Sequence, residues 1–86
     1  MSAGSNPVWT GKNITSTTTV KATAGQIGGI FVASSTSGTI KLQDGSATLV
    51  NTFNVSGATW YPLPFGFANS LVVTITGTLD CTVAYV

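Results

Sequence analysis

The chain has 86 residues, of which 43% are hydrophobic and 6% charged, and its net charge is +1. That length makes one domain near the lower limit for a core that stands alone, and a lone cysteine cannot staple it internally. Three scattered lysines and no arginine exclude the clustered basic surface that nucleic acid requires.

Serine, threonine, glycine and asparagine make up most of the remainder. Threonine, valine and isoleucine favour strands, because branching at Cβ restricts χ1 in a helix. So many β-branched residues at so low a net charge predict a folded chain.

Residues 1–12 read as a flexible N-terminal arm. Met1–Asn6 is small and polar, and Pro7-Val8-Trp9-Thr10 adds an apolar anchor that Gly11 ends. No basic stretch leads into an apolar run here, so no signal peptide is expected. No run is long enough to span a bilayer as a helix. Residues 13–86 read as a single β domain.

Within it, Thr17-Thr18-Thr19-Val20-Lys21 suits an edge strand, where the lysine discourages stray pairing. Ala24-Gly25-Gln26 is a turn. Ile27 to Ala33 is a strand whose Gly28-Gly29 pair predicts a bulge or a close backbone approach. No Lys-Ser/Thr pair and no helix follow, which excludes a phosphate loop. Ser34 to Gly38 reads as a loop. In Thr39 to Gln43 the alternation puts Ile40 and Leu42 inside, with Lys41 and Gln43 outside. Asp44-Gly45-Ser46 turns the chain into Leu49 to Val55, with Leu49, Phe53 and Val55 on one phase.

Gly57 leads into Ala58 to Tyr61 and the densest aromatic stretch, Trp60-Tyr61-Pro62-Leu63-Pro64-Phe65-Gly66-Phe67. Each proline fixes φ and lacks a donor, so a helix or central strand is excluded. A strand ending at Tyr61 is expected, followed by a stiff extended connection. Its Trp60 and Phe65 or Phe67 would close one end of the core. After the turn Ala68-Asn69-Ser70, Leu71 to Thr76 alternates with Leu71, Val73 and Ile75 inward. Gly77-Thr78 predicts a tight hairpin into Leu79 to Val86, with Leu79, Cys81, Val83 and Tyr85 on the core face. The fold class expected is all-β: an antiparallel sandwich or jelly-roll-like barrel of about seven or eight short strands.

With no histidine, no glutamate and only Asp44 and Asp80, a histidine triad and a His/Cys metal cluster are both impossible. Asp44 belongs to its turn and Asp80 to the solvent face of the last strand. A calcium site from these two carboxylates and backbone carbonyls is the one metal arrangement the inventory permits; no metal or cofactor is expected. Cys81 reads as a small buried hydrophobe. Trp60, Tyr61, Phe65 and Phe67 are the candidate binding or packing residues: they fill the core end, or stack on sugar rings as in a carbohydrate-binding module. A small, unstapled domain with so few charges gains stability and solubility by burying its faces against copies of itself. A closed homo-oligomer is expected, a trimer by preference, without enzymatic activity and without nucleic-acid or membrane partners.

Gly38-Thr39-Ile40-Lys41-Leu42-Gln43-Asp44-Gly45, Trp60-Tyr61-Pro62-Leu63-Pro64-Phe65, Leu71-Val72-Val73-Thr74-Ile75-Thr76-Gly77-Thr78 and Thr82-Val83-Ala84-Tyr85 together resemble small all-β proteins of tailed bacteriophages, notably marine ones. The likeness spans about residues 20–86. It implies a virion component, such as a capsid decoration or head-fibre piece, with a capsid or tail protein as partner. It brings no functional residue with it.

Overall fold

The computed structural model describes residues 8–86, so residues 1–7 of the expected arm lie outside the described residues. Six strands follow in order: β1 (Thr10–Ile14), β2 (Thr18–Lys21), β3 (Gly25–Asp44), β4 (Ala47–Asn54), β5 (Thr59–Phe67) and β6 (Leu71–Tyr85). All pairings are antiparallel and belong to one open sheet, ordered β1-β6-β3-β4, with β2 also on β6 and β5 also on β3. The all-β, antiparallel expectation holds. The count of seven or eight does not, and no second sheet exists among the described residues.

The difference has a local cause. Ser34 to Gly38 is not a loop and Gly77-Thr78 is not a hairpin; each lies inside a long continuous strand. Between the pairs Thr36↔Thr78 and Thr39↔Thr76, Ser37 and Gly38 of β3 oppose Gly77 of β6 alone. Two residues facing one make a bulge. Ser37 takes φ 53° and Gly77 φ 82°, so both strands kink at the same level. A Cβ on Gly77 would collide with the Ser37 carbonyl oxygen, and one on Gly38 with the Leu79 side chain. Glycine at 38 and 77 thus permits a close crossing, where the spacing alone reads as chain reversal.

The β3–β6 ribbon therefore carries two half-sheets. One half adds β1 and β5, the other β2 and β4. Backbone groups in the gap at the kink still find partners, as buried polar groups must. Val55 N–H donates to Gly38 O (3.1 Å) and Ala58 N–H to Ala33 O (3.2 Å). The Ser35 hydroxyl accepts from Gly38 N–H and donates to Val55 O, both at 3.1 Å. On the far edge, the Thr17 hydroxyl accepts from Ile75 N–H at 3.0 Å and donates to its carbonyl at 3.4 Å.

Period-two alternation assigns the core correctly. Ile40, Leu42, Leu71, Val73, Cys81 and Val83 are all fully buried, and with Ile14, Val20, Ile27, Ile30, Val32, Val55, Leu63, Phe67 and Leu79 they form one cluster. Truncating Ile40 or Leu42 to alanine should cost about 2–5 kcal/mol. Thr10 to Lys12, within the segment expected as arm, pair with Tyr85 to Val83 as the start of β1. The proline-interrupted stretch is a strand too. Pro62 and Pro64 are accommodated because β5 pairs only with β3 and leaves its other edge open.

Candidate functional site

Both ladders of β3 shift register between Ile27 and Gly29. Ile27 and Ile30 keep to the core, so Gly28 and Gly29 both lie on the opposite face. Each glycine is the seat of a tryptophan. A Cβ on Gly28 would meet the Trp9 ring at 3.0 to 3.3 Å, and one on Gly29 would stand 2.5 Å from Trp60 Cζ2. One indole arrives from the residue before β1 and the other from β5. Phe31 sits directly across the ladder from Trp60. All three rings stay in solvent, at 44% exposure for Trp9, 43% for Phe31 and 49% for Trp60.

Beside Trp9 the same region hollows into a groove of about 340 Å³ lined by Trp9, Gln26, Gly28, Pro64, Phe65 and Gly66. Gln26 exchanges main-chain hydrogen bonds with Val86, 3.0 Å out and 2.9 Å back. Its side-chain amide has no intramolecular partner among the described residues. Among the described residues no charged side chain lines the groove.

The four aromatics singled out in the sequence separate. Trp60 and Phe65 are exposed and do not close the core; Leu63 and Phe67 do. Tyr61 is half-buried, its hydroxyl accepting from Ser56 N–H at 2.8 Å and its ring 5.7 Å from that of Phe53. Trp9, Phe31 and Gln26 were missed. The phase of Ile30-Phe31-Val32 does point Phe31 outward, and Gly28-Gly29 does announce a close approach. Nothing in the sequence said that side chains rather than backbone would make it.

The two carboxylates are not brought together. Asp44 pairs with Leu71 and Asp80 with Ser34, which puts them on opposite sides of the Gly77 kink. Asp44 accepts the backbone N–H groups of Ala68 (2.8 Å), Asn69 (2.8 Å) and Ser70 (3.3 Å), and these bonds hold its carboxyl below the usual range. Asp80 accepts from Asn13 Nδ2 at 2.6 Å. Among the described residues no three His, Cys, Asp or Glu side chains gather as a metal site, and no helix is long and apolar enough to cross a membrane. Cys81 is fully buried with Sγ 3.7 Å from Ile14 O, and burial pushes its thiol up to about 11.

Comparison with family models, with curated proteins and with solved structures finds no match for this chain.

Proposed function

We propose that the chain is a non-enzymatic structural subunit that assembles through the free edge of β4 into a closed homo-oligomer and presents its aromatic face outward as a surface-binding patch. The observation that carries the assembly is the contrast between edges. β1 bears Lys12, β2 bears Lys21, and β5 bears Pro62 and Pro64, each a guard against edge pairing. β4 runs for eight residues, Ala-Thr-Leu-Val-Asn-Thr-Phe-Asn, with neither charge nor proline. Its Thr52 N–H donates to the adjoining Asn51 side chain, at 2.8 Å. A second copy pairing there would satisfy that row, and closed symmetry stops it from running on into fibres.

Side chains of both half-sheets are fully buried in one cluster. That supports a sheet curled over its own apolar face at the double kink, a sandwich-like arrangement made from a single sheet. The phage-protein likeness of residues 20–86 supports a virion setting, against a capsid or tail protein; β4 edges that meet each other close on a two-fold axis, so a dimer replaces the trimer as the preferred closed state. An inventory without histidine or glutamate supports a role without catalysis.

The test is mass by light scattering and melting temperature across roughly a hundredfold dilution, since assembly raises stability by mass action. An oligomer whose melting point falls on dilution is expected, and Thr52→Lys should yield a folded chain of 8.7 kDa. A constant melting point with a monomeric mass in the parent chain rejects the reading.

A further inference from the structure

We infer that the groove between Trp9 and Phe65 is a binding site for an uncharged oligosaccharide, whose chain continues over Trp60 and Phe31. This gives the surface-binding part of the proposed function a ligand class and rests on it. The groove's volume of about 340 Å³ falls within the range of small-ligand sites, roughly 300–1,000 Å³. Trp9, Pro64 and Phe65 supply apolar walls, while Gly28 and Gly66 leave bare backbone between them. A flat ring can settle there with one apolar face against an indole.

The polar chemistry narrows the class. Among the described residues Gln26 is the one amide side chain in the lining, and it is unpaired. A primary amide offers a carbonyl acceptor beside two N–H donors. That set matches neighbouring hydroxyl groups, each of which both gives and takes a proton. Among the described residues no lysine or aspartate lines the groove, so no charged side chain there would compensate a phosphate, a sulfate or a carboxylate. The ligand is therefore neutral.

Length narrows it further. Trp9 stands over Gly28 and Trp60 over the adjoining Gly29, so the two indoles lie side by side on the outer face. Phe31 lies beside Trp60 on the next strand. The aromatic strip thus extends well past a single ring, and a linear chain of several sugars can use it. A proline-rich peptide also docks on aromatic grooves. It would present a row of carbonyl acceptors, however, and the Gln26 main-chain N–H is already committed to Val86.

The test uses the full chain and five probes, the neutral cellohexaose, mannohexaose and hexa-N-acetylchitohexaose, a sialylated hexasaccharide and a decaproline peptide, followed by tryptophan fluorescence and saturation-transfer NMR. At least one neutral hexasaccharide should shift the indole emission and outcompete both decaproline and the sialylated hexasaccharide. Trp9→Ala should weaken binding about ten-fold or more, as expected for losing about 1.4 kcal/mol of ring contact. Gln26→Leu should weaken it about five-fold, the scale of one neutral hydrogen bond. Gln26 is exposed with a free side chain, so that variant should melt like the parent and keeps the test valid if Trp9→Ala unfolds.

Binding of none of the neutral hexasaccharides, affinity unchanged in Gln26→Leu, or preference for decaproline or the sialylated sugar would overturn the site. An assembled protein that binds no neutral sugar removes the site and leaves the assembly standing. A monomer that binds one, with the stated losses in the variants, removes the assembly and leaves the site.

Discussion

Trp60 lies so close over Gly29 that a single methyl on that glycine would come within 2.5 Å of the indole and 2.6 Å of Tyr61 O. The neighbour on the second side is backbone and cannot swing away. Gly29→Ala should therefore cost about 1–3 kcal/mol, the usual range for forcing extra volume into a packed site. It should also expose Trp60 further. Urea melts with tryptophan emission as the probe would show both effects; an unshifted midpoint would mean that the ring is not seated there.

At the double kink, Gly77 combines φ 82° with contact against the Ser37 carbonyl. A left-handed conformation costs a residue with Cβ at least about 1–2 kcal/mol, and the contact adds to that. Gly77→Ala should lower the melting temperature more than Gly11→Ala, because a Cβ on Gly11 meets only Thr82 Cγ2 at 3.5 Å. Equal melting points for the two variants would remove the kink as a constraint.

These glycines also mark how far the sequence can be read. Alternation in Ile40 to Gln43 and in Leu71 to Ile75 placed the core face, because a strand's side-chain period is fixed locally. Gly77 was legible as a site of left-handed backbone. Whether such a residue reverses the chain or only bends it depends on the strand opposite, and Ser37-Gly38 lies about 40 residues away in sequence. The same holds for the site. Trp60 stood out by its neighbours, whereas Trp9 joins it only because the residue before β1 reaches past β6 to Gly28, next to the glycine that seats Trp60.

Asp44 ties the β3 end to the turn before β6 through three backbone donors. Its carboxyl titrates below the ordinary value of 3.8, so the stabilisation is present above that pH and is lost as pH falls through the lower folded value. In urea titrations, Asp44→Asn should be less stable than the parent near neutral pH, and the difference should close in strong acid. A gap independent of pH would show that the charge is not what matters.

Cys81 should resist thiol reagents in the native protein and react quickly in denaturant, since it is fully buried. The folded thiol ionises near 11 against 9.0 for an unhindered one, so stability should decline as pH climbs between those values. Rapid native labelling would place the last strand in the opposite phase.

Assembly through the β4 edge meets its most direct test in hydrogen exchange. The backbone amides of β4 that face away from β3 would be followed one by one at high and at low protein concentration, with the outer amides of β1, β2 and β5 as internal controls. The expected result is slow exchange in β4 that becomes fast on dilution while the other three edges stay unchanged, because only paired amides are protected. Fast exchange along β4 at every concentration, or protection that moves equally on all four edges, would contradict it.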